Sequence, residues 1–237
     1  MKYNHMKKSI MAAALLAGAV FASFQTQAAT ESYSLDSLIN GTSPGTTVPW
    51  MTATFTDGAP GTVLLSISAT SLYPTAFVTE FDFNLDPSLN VNPVNIVTTN
   101  GGVGTVSSTY NHTNVNDSFT IDGTGGQADL QILFSQVGTG QFTAGETAVF
   151  AITGIPGISA SMFNFASSGS TTGPWYVAAR ADGVPCAGGC GVTTIAWIGD
   201  CTSVPNNTPE PATMAILGSF IAFGVYLKRR NGQSVKA

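Results

Sequence analysis

The chain has 237 residues, with 13 Asp and Glu against 8 Lys and Arg and a net charge of −5 at pH 7. The charges are unevenly placed: residues 29–207 hold Arg180 as their one basic residue against twelve acidic ones, a net charge of −11. So few cations exclude phosphate-backbone binding to nucleic acid and docking on an anionic membrane surface, and fit a soluble, self-repelling exterior.

At the N-terminal end, Lys2, Lys7 and Lys8 precede an apolar run from Ile10 to Phe24, and Thr26-Gln27-Ala28 supplies small residues at positions minus three and minus one of a cleavage site. This is the layout of a secretory signal peptide, residues 1–28, cut after Ala28. Residues 29–203 then form an exported region long enough for one domain with a sizeable core.

Inside that region the signal is alternation. Before Pro60 the expectation is one strand, Val48 to Thr56, followed by Thr62 to Ser68, where Val63, Leu65 and Ile67 alternate with polar positions. In Phe77 to Leu85, Phe77, Thr79, Phe81, Phe83 and Leu85 fall on one face, with Val78, Glu80, Asp82 and Asn84 on the other. Further strands are expected at Val91 to Val97, Val103 to Tyr110, Ser118 to Asp122, Ala128 to Phe134, Thr147 to Ile152, Ala160 to Ala166, Trp175 to Arg180 and Thr193 to Ile198. Clusters of Gly, Asn, Pro, Ser and Thr separate them. No helical periodicity is sustained, so the class is all-β: a β-sandwich of about ten strands, jelly-roll or Ig-like.

The chemistry-bearing residues are few. His112, in the loop-like YNHTN, is the one histidine left after signal removal, and no GxSxG surrounds a serine. A glycosidase needs two carboxylates at a set separation. Glu80 and Asp82 share a strand face, and the plain expectation for them is an outward, solvated pair. Calcium is conceivable at Asp82 with Asp86, or at Asp117 with Asp122, but no D-x-D-x-D-G loop is present, so no cofactor is assigned. Catalytic residues and a metal site are both expected to be absent.

Cys186 and Cys190 lie together in the Gly-rich stretch PCAGGCG. If Trp175–Arg180 and Thr193–Ile198 form a hairpin, these two close a small disulfide ring in its loop, while Cys201, past the far strand end, is free or pairs between chains. Trp50, Trp175, Tyr176 and Trp197 are candidates for stacking on sugar rings, although large aromatics fill a sandwich core more often.

The C-terminal segment has its own layout. A linker, residues 204–211, ends in Pro209, Glu210 and Pro211, and an apolar run from Ala212 to Leu227 follows, closed by Lys228, Arg229 and Arg230 in the basic tail, residues 228–237. As a helix the 16-residue run covers roughly 24 Å, slightly short of a hydrocarbon core of about 30 Å, and the basic side chains snorkel across the difference. The cluster keeps its end cytoplasmic, leaving the two prolines and Glu210 exported. Flanking prolines hold that triplet extended and accessible.

Triplet, span and basic cluster in this order resemble the PEP-CTERM sorting signal of exported bacterial proteins. That resemblance implies recognition of Pro209, Glu210 and Pro211 by a membrane-embedded exosortase, with Lys228, Arg229 and Arg230 as the membrane stop. It also implies a non-catalytic protein anchored in the envelope before processing, then placed on the outer surface or in an extracellular matrix linked to biofilm and exopolysaccharide. Within the exported region, Thr79 to Val91 (TEFDFNLDPSLNV) and Gly140 to Ile155 are similar to strands of cohesin-like, carbohydrate-binding sandwiches, an expectation for architecture alone. Polysaccharide binding is the alternative function, and a secreted hydrolase a third.

Overall fold

The computed structural model describes residues 28–99, 102–104, 106–111, 116–121, 126–171, 173–186 and 193–200. Within them the chain forms fourteen strands, two 3₁₀ turns and no α-helix. The first six strands are β1 (Thr30–Leu35), β2 (Ser37–Gly41), β3 (Met51–Asp57), β4 (Val63–Ala69), β5 (Phe77–Phe83) and β6 (Asn95–Thr98). Next come β7 (Ser108–Asn111), β8 (Phe119–Ile121), β9 (Gly126–Ala128), β10 (Leu130–Phe134) and β11 (Phe142–Thr143). The last three are β12 (Thr147–Thr153), β13 (Val177–Pro185) and β14 (Thr193–Gly199).

Five strands make one antiparallel sheet in the order β1-β3-β4-β12-β6, and the second sheet runs β2-β14-β13-β5-β10-β7, with β11 beside the start of β5. A separate hairpin joins β8 to β9. Between β1 and β2 the chain passes from one sheet to the other through a single residue, Asp36. The sequence expectation of an all-β sandwich holds.

Alternation decides which side chains meet. Met51, Ala53 and Phe55 of β3, Val63, Leu65 and Ile67 of β4, and Ala148, Phe150 and Ile152 of β12 are buried, while the residues between them face out. The inner face of the second sheet answers with Phe81, Phe83, Ile132, Val177, Ala179 and Ile198, in one continuous core. Phe55 is its hub: the ring stacks on Phe163 at 4.6 Å, lies 5.5 Å from Phe83 across the sandwich, and meets Tyr33 edge-on at 5.9 Å. Aromatic pairs in such geometries add about 0.5–1.5 kcal/mol beyond the area they bury.

The outward residues of the first sheet fall into three register rows. One is Thr30, Thr56, Leu64, Ala151 and Val97; the next is Ser32, Thr54, Ser66 and Val149; the third is Ser34, Thr52, Ser68 and Thr147. None of these positions carries a charge.

Several expectations need correction. Two strands, β1 and β2, precede the one expected before Pro60; β1 escapes an apolar count because its inward row is Glu31, Tyr33 and Leu35, with a carboxylate in the first place. Ala160 to Ala166 is no strand: Ala160–Phe163 is a 3₁₀ turn that inserts Phe163 into the core. Its Ala160 amide donates to Asp57 Oδ1 (2.6 Å) and its Phe163 carbonyl accepts from the Tyr33 hydroxyl (3.0 Å), so a plug satisfied by side chains replaces a ladder. The strand expected from Val91 begins only at Asn95, after a turn in which the Val94 amide donates to the Val91 carbonyl. Of Val103 to Tyr110, an isolated bridge from Val103 to Thr147 and the strand from Ser108 remain.

The face assignment of β5 also shifts. Along its pairing with β13 the register passes from Arg180 opposite Glu80 to Ala181 opposite Val78, leaving Thr79 as an extra residue. One extra residue inverts the alternation. Val78 therefore joins Phe81 and Phe83 in the core, and Phe77 leaves it. A second irregularity lies in β13 between Ala181 and Val184, where Gly183 has φ +71° and a Cβ would stand 2.3 Å from the Thr75 carbonyl oxygen.

Because Phe55 touches both sheets and the plug, Phe55→Ala is expected to destabilise the fold by about 3–5 kcal/mol, the range for deleting a buried ring. Denaturant unfolding of wild type and variant measures this; a loss below about 1 kcal/mol contradicts the hub assignment.

Candidate functional site

The densest polar chemistry lies on the outer face of the second sheet, at its middle strand. Past the Thr79 bulge, Glu80 and Asp82 of β5, with Asn84 just after it, point away from the core, and Gln131 of β10 stands opposite Asp82 in register. Asp82 is wholly buried and Gln131 nearly so. The Gln131 amide nitrogen donates both to Glu80 Oε1 and to Asp82 Oδ1 (3.2 Å). Asp82 Oδ2 is buried with no donor among the described residues.

Glu80 and Asp82 lie within hydrogen-bonding reach of each other. Two carboxylates are both acceptors, so a bond between them requires a shared proton, and the pair titrates as a unit. Burial first, and the Glu80 charge second, hold the Asp82 carboxyl well above the usual carboxylate range, against a smaller opposite pull from Gln131. The expected outward, solvated pair is thus corrected: Asp82 is an interior acid. Arg180, in register with Glu80, is engaged by Asp182, its Nε 2.9 Å from Oδ1.

What covers this face is a second, small apolar cluster. Trp175, Trp197 and Ala178 pack with Ile121 of β8, and Ile39 of β2 lies against them. Gly199 makes the room, since a Cβ there would meet Trp175 Cε3 at 2.7 Å. The β8–β9 hairpin is held by a bridge from Gln127 to Ser168, and Asn84 Nδ2 donates to the Trp175 carbonyl (3.4 Å). Trp50 sits elsewhere, in the main core, with Nε1 donating to the Gly45 carbonyl (3.3 Å). All three indoles are therefore buried, and Tyr176, half-buried, stacks on Tyr33 at 6.0 Å. The core-filling role accounts for these rings, and the sugar-stacking role loses its surface.

Other carboxylates serve as backbone acceptors. Asp129 takes the amides of Leu85 (2.9 Å) and Asp117 (2.7 Å), the latter at φ +59°. Burial raises the Asp129 pKa, and those two amide bonds partly offset it. Asp57 Oδ2 takes the Ala29 amide and Asp200 Oδ2 the Ser34 amide (2.9 Å), fixing β1 at both ends. Glu31 is buried in the core with Oε2 unpartnered among the described residues, and its pKa is raised by that burial.

The calcium pair of Asp82 with Asp86 is not assembled, and the other, Asp117 with Asp122, reaches outside the described residues. Asp82 is engaged with Gln131 and Glu80, whereas Asp86 is an exposed turn residue whose Oδ1 accepts the Ser88 amide and whose pKa is lowered by Ser88. Among the described residues no group of three or more His, Cys, Asp or Glu is placed to hold a metal. Asp122, His112, Cys190, Cys201 and the whole C-terminal segment, with Pro209, Glu210, Pro211, Lys228, Arg229 and Arg230, lie outside the described residues. So do residues 1–27 of the expected signal sequence. Among the described residues no helix is long and apolar enough to cross a membrane.

The β13–β14 hairpin expected around the cysteines is present, with Pro185 opposite Thr193, and Cys186 is disulfide-bonded. A shallow cleft of about 330 Å³ opens at the β12–β6 edge, lined by Thr98, Thr99, Thr147 and Val149 with neighbouring glycines. Sequence reading missed Gln131 as partner of the carboxyls. The signal was its place on the outward parity of an otherwise apolar strand, LQILF. The chain matches no family model, and no curated protein or solved structure matches it.

Two outcomes follow for this region. The folded-state pKa of Asp82 exceeds its unfolded value near about 4, so its contribution is fully present below that value and is lost as pH rises through the folded pKa. Unfolding free energy should fall with rising pH above about 4, and Asp82→Asn should flatten that fall; an unchanged pH profile in the variant rules out the buried acid. For the disulfide, Asp200 lies just past β14, seven residues from Thr193 at the Cys186 end, roughly 23 Å along the strand, and Cys201 follows it directly in sequence. Bridged Cα atoms lie within about 7 Å, so peptide mapping without reduction should return Cys186 joined to Cys190. A Cys186–Cys201 peptide from the monomer refutes this.

Proposed function

We propose that the chain is an exported, non-catalytic protein of the cell surface or extracellular matrix, delivered and processed through its C-terminal segment. The observation that carries this reading is the order of three parts: Pro209-Glu210-Pro211, the uncharged run Ala212 to Leu227, and Lys228-Arg229-Arg230. That order resembles the PEP-CTERM signal, whose partner is an exosortase-type membrane enzyme. The run, slightly short of the hydrocarbon core, fits a transmembrane helix whose basic flank snorkels, and the basic cluster orients it with the triplet on the exported side.

The oxidised state of Cys186 supports export, because disulfides persist outside the reducing cytoplasm. The use of Asp57, Asp129 and Asp200 as backbone acceptors supports a structural rather than catalytic reading of the acidic composition. We read the sandwich as jelly-roll or Ig-like in class, a scaffold displayed by its anchor. Polysaccharide binding remains a second reading, now supported by the uncharged outer face of the first sheet rather than by the indoles.

Intact mass of the protein recovered from its native host, from membrane and culture supernatant, tests the first reading. The expected chain ends near Pro209 to Pro211 without the apolar run. A mass that retains Lys228 to Ala237 in both fractions means a plain anchor and overturns processing.

A further inference from the structure

The outer face of the β1-β3-β4-β12-β6 sheet is laid out as a grid. Neighbouring strands stand about 4.8 Å apart and alternate residues about 6.7 Å apart along each strand, so its three rows set hydroxyls at near-regular spacing in both directions. Ser32 Oγ and Thr54 Oγ1 are 3.2 Å apart, and Ser68 Oγ and Thr147 Oγ1 2.8 Å, which ties neighbouring rotamers together. The hydroxyls of Thr30, Ser34, Thr52, Thr56 and Ser66 have no partner among the described residues and are left to solvent. Toward β6 the grid gives way to Leu64, Ala151 and Val97, then to the cleft beside Thr98, Thr99 and Thr147.

The absence of charge from this face is its second property. The region carries a net charge of −11, yet no strand position of this face holds Asp, Glu, Lys or Arg. We propose that the face binds a neutral, hydroxyl-rich polysaccharide, whose strands lie across the grid with the cleft at its β6 edge receiving one chain. The proposal rests on the second, polysaccharide reading above and gives it a place in the fold.

The chemistry favours this occupant. A hydroxyl offers one donor and two acceptor positions, so a grid of them matches a polyol in whichever sense each bond runs. Individual bonds of this kind are weak against water, and retention needs many in parallel along a repeating polymer. An anionic polymer is opposed by the field of the domain. A second copy is opposed by the same field, and by area: the five strands, of six, seven, seven, seven and four residues, cover roughly 490 Å², against about 800 Å² per partner in a standard stable interface.

The test is native affinity electrophoresis of the full-length chain in a polyoxyethylene detergent, in gels containing galactomannan, mixed-linkage β-glucan or dextran, with alginate as anionic control. Retardation is expected in at least one neutral gel, absent in alginate and unchanged by added NaCl. Thr54→Asp should weaken it at least about tenfold, since a carboxylate at the grid centre must be desolvated against a neutral partner. The uncharged Thr54→Val with Ser66→Ala should weaken it less, and Val137→Asp, on an exposed turn, should leave it intact. Melting temperatures report folding, and the uncharged pair carries the test if Thr54→Asp fails to fold.

Absence of retardation in every neutral gel overturns the proposal and the polysaccharide reading together. Retardation that survives both face variants keeps the reading but moves the site elsewhere. Concentration-dependent self-association abolished by Thr54→Asp assigns the face to a second copy, and inhibited ice growth without polysaccharide retention assigns it to ordered water. Either result overturns the proposal. Sorting is scored separately by the C-terminal mass, so its failure and failure at this face are distinguishable.

Discussion

Phe55 is the residue through which the two sheets and the plug become one body. Its ring is in contact range of Tyr33 on the neighbouring strand, Phe83 across the sandwich, and Phe163, which arrives on a 3₁₀ turn. Each of these is fixed by something else: Tyr33 by its bond to the Phe163 carbonyl, and the plug by the Ala160 amide on Asp57. The core thus closes a loop of dependencies, in which ring packing positions polar bonds and those bonds hold the plug where the ring needs it. Interior packing at crystal-like density makes such an arrangement intolerant of volume loss.

The two outer faces of the sandwich follow opposite rules. That of the second sheet is roofed by Trp175, Trp197 and Ile121, so its outward residues are interior after all, and Asp82 and Gln131 become a polar network at low local dielectric. Such a network favours one arrangement strongly, because leaving a member unsatisfied costs more than the bond contributes. A proton retained by the Glu80–Asp82 pair spares the network a second buried charge. Among the described residues the outer face of the first sheet carries no roof and no charge, and its hydroxyls bond to one another or face solvent.

Much of the sandwich was legible because β3, β4, β12 and the heart of β5 alternate apolar and polar residues, and period two has one physical meaning. The misses came where that signal was broken by chemistry rather than by noise. In β1, Glu31 stands inward, so the count saw too few apolar residues. In β5, one bulged residue moved Val78 into the core and Phe77 out, an event that no single-strand pattern encodes because it depends on the partner β13. Ala160 to Ala166 reads as a strand, but Ala160–Phe163 forms a 3₁₀ turn in which Phe163 serves as a plug. The roof over Asp82 is built from residues far apart in sequence, Ile39, Ile121, Trp175 and Trp197, and burial of that carboxyl was therefore invisible. The hydroxyl rows, in contrast, are plain in hindsight: S-Y-S, T-A-T-F-T and S-I-S are alternating strands whose outward places are all Ser or Thr.

Charge placement shapes the exterior of the domain. Of the twelve acidic residues between 29 and 207, Asp57, Asp129 and Asp200 hold backbone amides and Asp82 and Glu31 are buried, so the formal count overstates the acidity of the exterior. The one basic residue, Arg180, is engaged by Asp182 and offers little to an anionic partner. Such an exterior repels its own copies and other anionic polymers, while leaving one neutral side on which approach is unopposed. Long-range repulsion acts on every encounter, whereas weak hydroxyl contacts act only at contact distance. On the proposed reading, the first of these rejects charged partners at range and the second discriminates among neutral ones.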